Sequence, residues 1–215
     1  MKQKILLLGS GGHCRVIIDL LLQLRKYEIA GLIDLKKRKG SEIFGFPVIG
    51  TDIDLSRLFR SGIKYCFIAV GSIGDPSVRV KLFKKASELG YIFPNLISPE
   101  AVVSRLASFG AGNYIAPGVI INAGARIRQH CIINTGAIVE HDCQIGDFAH
   151  LSPGAVLSGG VSVGNYSHIG SGTVVIQNVK IGNHTVIGAG SVVTKNVGSH
   201  IVAWGNPCKK RKDNE

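Results

Sequence analysis

Large apolar residues recur at every sixth position through the second half of the chain. Seventeen such positions follow one another without a break, and nearly every one is followed four residues later by a small residue, Asn113 being the plainly polar exception. The large residues are Ile97, Val103, Phe109, Ile115, Ile121, Ile127, Ile133, Val139, Ile145, Leu151, Leu157, Val163, Ile169, Val175, Ile181, Ile187 and Val193.

A period of six excludes a helix and predicts short strands. A helix has 3.6 residues per turn and cannot keep this repeat on one face, whereas short strands joined by bends can. Three hexads make one triangular coil of 18 residues, and successive coils stack at about 4.8 Å, the spacing of paired strands. Residues 97–198 are therefore predicted to form a parallel β-helix of between five and six coils, with the large residues inside.

The first 96 residues have the pattern of a small α/β unit. Residues 5–8 read as a buried strand, 9–13 as a glycine turn and 16–24 as a helix. Further strands are predicted at 29–33 and 63–70, and a helix at 76–89, which starts at a proline and stops at a glycine. This is enough chain for one mononucleotide-binding half of a dinucleotide fold.

The glycine turn predicts a ligand site, but not a site for NAD. Backbone N–H groups at the start of the following helix can hold a phosphate or a hydroxyl group. Asp34, at the end of the second strand, is placed where a carboxylate can accept hydrogen bonds from a ribose. The third glycine of the dinucleotide fingerprint is replaced by Cys14, so the NAD signal is weak.

Composition narrows the class of protein. The net charge is +11, but the basic runs at 36–39 and 209–212 lack interleaved aromatic residues and read as solvated loop or tail charge, so nucleic-acid binding is not expected. The five cysteines form an odd set without a C-x-x-C motif, which favours a reducing cytosol over a disulfide framework. The apolar run at 5–8 is too short for a signal peptide or a membrane span.

The tandem hexads and the 205–209 tail, Gly-Asn-Pro-Cys-Lys, resemble the left-handed parallel β-helix acyltransferases. Three segments narrow the resemblance to the NeuD/PglD group of sugar O- and N-acyltransferases, and it covers nearly the whole chain. These segments are GSGGH at 9–13, FIAVG at 67–71 and VEHDC at 139–143. The resemblance implies that 1–96 is a Rossmann-like nucleotide-sugar-binding domain and 97–215 a left-handed β-helix acetyltransferase domain with a C-terminal tail.

The resemblance implies a homotrimer that transfers an acetyl group from acetyl-CoA to the amine of a UDP- or dTDP-linked 4-amino-dideoxy-sugar in a ternary complex. The cysteine pattern and the short N-terminal apolar run predict that it is cytoplasmic. It assigns catalysis to His141 and Asp142, the latter in a place where the family often has Glu. The cofactor contacts it implies are His150, Gly159, Ser171 and Ala189. The substrate contacts it implies are Gly11, Gly12, His13, Asp34, Gly71 and Asn134.

The residues themselves allow two interpretations of His141. It lies outside the inward positions and is followed by Asp142, so it is expected at the surface. An exposed histidine is usually an ordinary turn residue. Imidazole is also the usual base for activating an amine or a hydroxyl group, because its ordinary pKa of about 6.5 is close to ambient pH. The family resemblance favours the base.

Four further histidines and one cysteine are not assigned a chemical role. His168 follows His150 by one coil, but Val186 continues that column, so no metal site is predicted. His130, His184 and His200 are expected at the surface. Cys143 occupies a small inward position, which favours packing over a covalent acyl intermediate. The alternatives left open are a sialic-acid or other sugar O-acetyltransferase, a noncatalytic hexapeptide scaffold and a metal-dependent hydratase.

Overall fold

The computed structural model describes residues 2–214 and divides the chain into two compact units. The first runs to Ser72 and includes Pro76–Leu96. The second comprises Ile73–Asp75 and the chain from Ile97 onward.

The first unit is a five-stranded sheet with three α-helices. The strand order is β3-β4-β2-β1-β5, and only β3 is antiparallel to its neighbour. The buried apolar run of β1 is typical of a parallel strand covered on both faces. The elements are β1 Gln3–Leu8, α1 Gly12–Leu24, β2 Tyr27–Ile33, β3 Glu42–Ile43, β4 Phe46–Gly50, α2 Leu55–Arg60, β5 Tyr65–Ile68 and α3 Ser77–Glu88, with 3-10 turns at Lys36–Arg38 and Asp52–Asp54.

The second unit is a parallel β-helix, as the six-residue period predicts. Seventeen two-residue strands, β6 to β22, pair with the strand 18 residues away. They are Leu96–Ile97, Val102–Val103, Ser108–Phe109, Tyr114–Ile115, Ile120–Ile121, Arg126–Ile127, Ile132–Ile133, Ile138–Val139, Gln144–Ile145, His150–Leu151, Val156–Leu157, Ser162–Val163, His168–Ile169, Val174–Val175, Lys180–Ile181, Val186–Ile187 and Val192–Val193. Strands β23 Ile201–Trp204 and β24 Lys209–Asp213 close the last coil as an antiparallel pair.

The second residue of each strand builds the core of the β-helix. From Ile115 to Val193 every predicted large residue is no more than 3% exposed. Burying an aliphatic side chain of this size is worth about 1.5–3 kcal/mol, so the column holds the coils together. Asn113, the polar exception, is fully buried because its Oδ1 accepts a hydrogen bond from Cys131 N–H at 2.8 Å and its Nδ2 donates to the Gly110 carbonyl at 3.0 Å.

The first residue of each strand faces outward and gives the three sheets different characters. The apolar face carries Val102, Ile120, Ile138, Val156, Val174 and Val192. The polar face carries Ser108, Arg126, Gln144, Ser162 and Lys180. The histidine face carries Tyr114, Ile132, His150, His168 and Val186.

The prediction that His130 is exposed is wrong. His130 is 1% exposed and stacks on Phe148, with ring centroids 5.0 Å apart. The stack continues through Tyr166 and His184 to His200, one ring per coil. Each of these residues has a left-handed backbone conformation, which places the rings in one column at the corner after the polar face. His130 is the first ring of this column and is buried, whereas His200, the last ring, is exposed.

The two basic runs are also more ordered than the predicted loop and tail. Residues 209–212 lie in β24, paired with β23, although their side chains are exposed. Residues 36–38 form a 3-10 turn after β2, and Arg38 bonds back to the glycine turn.

Candidate functional site

The His141–Asp142 pair lies in the turn between β13 (Ile138–Val139) and β14 (Gln144–Ile145). The His141 Nδ1 and Asp142 Oδ2 atoms are 2.9 Å apart, and the two side chains are 65% and 73% exposed. Asp142 has a left-handed φ of 61°. Gly124, one coil earlier, has no side chain to collide with the Asp142 carboxylate. The turn thus presents a histidine whose Nδ1 is held by a carboxylate while Nε2 remains available for chemistry.

Gly159 lies one coil after His141 and borders its ring. A Cβ atom on Gly159 would overlap Nε2 of His141 and come within 2.6 Å of Cε1, closer than real Cβ contacts. Only glycine at this position therefore leaves the imidazole in its present orientation. The sequence prediction assigns Gly159 to the cofactor; the structure adds a second reason for glycine there.

Asn134 and His150 meet at the edge of the histidine face. Thr135 N–H donates to Asn134 Oδ1 at 2.8 Å, which orients the amide so that Nδ2 points to His150 Nε2 at 3.4 Å. His150 Nε2 then acts as the acceptor, which favours the tautomer with its proton on Nδ1. The predicted substrate residue Asn134 and the predicted cofactor residue His150 are therefore neighbours.

His168 extends this cluster beyond the predicted residues. Its ring lies 4.9 Å from that of His150 at an interplanar angle of 82°, and its Nε2 is 3.3 Å from Ser152 Oγ. Burial lowers the pKa of His168 below its ordinary value. A neutral ring beside His150 adds no charge to the cluster. The 18-residue coil is the sequence signal that places His168 beside His150.

Ser171 and Ala189, also predicted to bind the cofactor, share the corner after the histidine face. Gly190 N–H donates to the Ser171 carbonyl at 2.8 Å, and both Ser171 and Ala189 are exposed. His150 and Asn134 border the same side of the β-helix. His141 and Gly159 lie at a different corner, between the apolar and polar faces, so one chain does not bring all the predicted β-helix residues together.

The glycine turn of the first unit is tied to Asp34. Asp34 Oδ2 accepts hydrogen bonds from Ser10 N–H at 2.6 Å and from the Ser10 hydroxyl, and Oδ1 accepts from Leu35 N–H. Burial opposes ionisation of Asp34, but the hydrogen bonds from Ser10 and Leu35 and the charge of Arg38 outweigh it and lower the pKa of the carboxyl group. Asp34 is thus an ionised group that holds the turn.

Arg38 contacts this turn, although the sequence does not predict it as a site residue. Its Nη1 donates to the Ser10 carbonyl at 2.9 Å and lies 3.2 Å from the Ser10 hydroxyl oxygen. The run of four basic residues gives no indication that one of them turns inward.

Gly11 and Gly12 flank the start of α1, and a Cβ atom placed on Gly71 would lie 3.4 Å from the Cβ atom of His13. These four predicted substrate residues therefore gather at one end of the sheet.

Cys143, two residues after His141, is buried and unsuited to act as a nucleophile. Burial raises the pKa of its thiol to about 11, and its Sγ donates to the Ser158 carbonyl at 3.2 Å.

Within residues 2–214 there is no group of three or more potential metal ligands. In the same range, no helix has the length and apolar character needed to cross a membrane.

A parallel β-helix of hexapeptide repeats joined to a small Rossmann-like unit defines a class of acyltransferase. Residues 4–86 match the family model of the PglD N-terminal domain. Residues 124–159 and 160–195 match the bacterial transferase hexapeptide model of six repeats.

Solved structures narrow the class. The H141N variant of perosamine N-acetyltransferase from Caulobacter crescentus, solved with CoA and GDP-perosamine, is 38% identical, with 98% of this chain and 97% of that chain covered and a TM-score of 0.92. The acetyltransferase domain of PglB from Neisseria gonorrhoeae, solved with acetyl coenzyme A, is 34% identical, with 98% and 100% covered and a TM-score of 0.87. WeeI from Acinetobacter baumannii, at 24% identity and a TM-score of 0.85, shares the fold. The chain belongs to the PglD-type sugar acyltransferases of the hexapeptide-repeat superfamily, so the predicted family and fold class are confirmed.

Proposed function

We propose that this protein transfers the acetyl group of acetyl-CoA to the amine of a nucleotide-linked amino-sugar, with His141 as the general base. The observation that carries the proposal is the 2.9 Å contact between His141 Nδ1 and Asp142 Oδ2 on an exposed turn. The Caulobacter crescentus enzyme supports the substrate class, because it was crystallised with CoA and GDP-perosamine.

The proposed step is a direct transfer. The amine nitrogen attacks the carbonyl carbon of the thioester, a C–N bond forms and the C–S bond breaks. Nε2 of His141 takes the amine proton and passes a proton to the CoA sulfur, while Asp142 holds Nδ1–H and stabilises the imidazolium. The raised pKa of the Cys143 thiol supports this route over an acyl-cysteine intermediate.

We propose that the first unit binds the nucleotide part of the substrate. Backbone N–H groups at the start of α1 and the Arg38 guanidinium offer donors for phosphate or ribose oxygens beside Gly11, Gly12 and His13. The family resemblance of the sequence implies a UDP- or dTDP-linked sugar. The GDP-perosamine bound by the Caulobacter crescentus enzyme adds GDP to the nucleotides to be tested.

We further propose that the working enzyme is a homotrimer whose sites each combine two copies. His141 and His150 are nine residues apart, half of the 18-residue coil, so they lie on different sides of one β-helix. A second copy that brings Asn134 and His150 to His141 completes the site. The apolar face offers the contact, since six β-branched side chains form one column there. The free state of all five cysteines supports the predicted cytosolic location.

Replacing Val156 with Asp tests this assembly. Val156 lies in the middle of the apolar face and is half-buried in the single chain. A carboxylate buried between subunits costs several kcal/mol, so the variant is expected to run as a monomer in light scattering coupled to size exclusion. Ser162→Asp, on the polar face, is the matched control and is expected to remain a trimer. A trimeric Val156→Asp variant would place the interface elsewhere.

The substrate class is tested by measuring CoA release with acetyl-CoA and a panel of acceptors. The panel contains UDP-, dTDP- and GDP-linked amino-sugars, the same sugars without nucleotide, and sialic acids. Turnover is expected with at least one nucleotide-linked amino-sugar, and a far higher kcat/KM for it than for the free sugar, because the nucleotide supplies binding energy. Turnover with sialic acids alone would instead identify an O-acetyltransferase.

A further inference from the structure

A ladder of hydrogen bonds runs along the corner between the polar face and the histidine face. In four successive coils one turn N–H donates to a side-chain oxygen of the next coil. Gln129 N–H donates to Asp147 Oδ1 at 3.3 Å, and Asp147 N–H donates to Asn165 Oδ1 at 2.8 Å. Asn165 N–H and Asn183 N–H continue to Asn183 Oδ1 and Ser199 Oγ at 2.8 and 3.0 Å. Every acceptor position of this ladder therefore carries a short side chain with an oxygen atom.

The ladder lacks its oxygen at the first coil. The equivalent donor is Ala111 N–H, and the equivalent acceptor position in the next coil is Gln129, one methylene longer than Asn. No oxygen within residues 2–214 bonds to Ala111 N–H, and Ala111 is exposed. An N–H group that is capped by an oxygen in every later coil is therefore open to an oxygen from a ligand.

Two arginines flank this open donor. Arg126 and Arg128 stand on either side of the buried Ile127, and both are exposed. Arg128 follows β11 directly, and its N–H donates to the Ile145 carbonyl at 2.9 Å, so the extended backbone continues and the two arginines share its outer face. Neither forms an ion pair with any carboxylate in the described part of the chain, residues 2–214. With Ser108 and Ala111 they line a groove of about 450 Å³. The groove thus collects two uncompensated positive charges and a free N–H.

The neighbouring coils leave space around Arg128. The equivalent positions in the other coils are glycines, at 110, 146, 164 and 182, so Arg128 extends from a surface without other side chains in its column. Asp147 lies at the rim, where its Oδ1 accepts from Gln129 N–H and so is partly occupied. The only acidic side chain of the groove does not neutralise both guanidinium groups.

We propose that this groove is a phosphate-binding site. The ligand is a phosphate-bearing nucleotide, with its oxygens on Ala111 N–H and on the forks of Arg126 and Arg128, the geometry that guanidinium groups favour for phosphate. Arg126 pairs with Gln144 in the neighbouring strand of the polar face. Gln144 follows His141 by three residues, so the groove and the proposed base border the same face of the β-helix. Its occupation does not depend on His141 being the base.

Isothermal titration calorimetry with GDP, CoA and inorganic phosphate, each without the second substrate, tests the site. We expect the R126Q/R128Q variant to bind at least one probe about tenfold or more weakly than wild type, the loss of one good charge-assisted contact. The probe that is affected identifies the source of the phosphate. Lys180→Gln, on the same face in a later coil, is the control for charge alone and is expected to change affinity less than about twofold.

Gln129→Asn separates the open donor from the charge. Asn is the ladder residue at 165 and 183, so the variant is expected to fold and to cap Ala111 N–H from within the chain. We expect the affected probe to bind more weakly although no charge has changed. Unchanged affinity of R126Q/R128Q and of Gln129→Asn for all three probes, or no binding of any probe to wild type, would overturn the proposal. Acetyl transfer is not measured, so the outcome is independent of the proposed reaction.

Discussion

Replacing His141 with Ala is expected to lower kcat for acetyl transfer about 10²- to 10⁴-fold, the usual contribution of a positioned general base. The loss follows because the variant lacks Nε2, the atom proposed to accept the amine proton, while Asp142 holds Nδ1 of the same ring. The Kd for acetyl-CoA is expected to change little, since the predicted cofactor contacts lie at other positions. Single-turnover rates and equilibrium binding measured on the same preparation separate these two effects.

The control for His141→Ala is His200→Ala. His200 is also an exposed histidine of the same unit, and it belongs to the aromatic column rather than to the proposed site. This variant is expected to retain wild-type kcat. A His141→Ala enzyme that keeps more than about half of the wild-type kcat would show that His141 is an ordinary turn residue, and would leave the noncatalytic scaffold or another base as the explanation.

Gly159→Ala is expected to reduce kcat about 10²-fold while leaving the fold intact, because a displacement of about 1 Å in a catalytic group can cost that much. The new Cβ would occupy the place of His141 Nε2, so the ring must rotate away and lose its contact with Asp142. Gly159 does not have a left-handed φ, so alanine is not strained there. Kinetics and thermal unfolding of the same variant are the measurements.

The matched control for Gly159→Ala is Gln177→Ala. Gln177 lies one coil further along the same column and its side chain is exposed, so its truncation leaves His141 untouched. We expect wild-type kcat for it. If Gly159→Ala also kept wild-type kcat and KM, the close approach of Gly159 to the imidazole would have no catalytic consequence, and the orientation of His141 would not be set by its neighbour in the stack.

The β-helix could be predicted from the sequence because its period is local. A coil of 18 residues repeats the same contacts, so the anchors at Ile133 and Leu151 are stacked by arithmetic alone. The same arithmetic places Gly159 beside His141 and His168 beside His150. The stacking of residues can thus be predicted from their residue numbers. It accounts for two neighbouring pairs of the candidate site, Gly159 with His141 and His168 with His150.

Other features depend on contacts that no period encodes. Arg38 reaches Ser10 across 28 residues, and a run of four basic residues gives no sign of which one turns inward. The sequence predicts His130 at the surface, because it lies outside the inward positions, yet stacking on Phe148 buries it. The proposed site built from two copies does not follow from periodicity either, because the half-coil separation of His141 and His150 becomes significant only once both are assigned to one reaction.

The identity of the acetylated product tests the central claim most directly. Wild-type protein, acetyl-CoA and the preferred nucleotide-linked amino-sugar are incubated together, and the product is analysed by mass spectrometry before and after treatment with hydroxylamine, which cleaves esters and spares amides. The account predicts an intact nucleotide-sugar heavier by one acetyl group that survives the treatment. An acetyl group removed by hydroxylamine, or CoA release with no acetylated sugar, would contradict it.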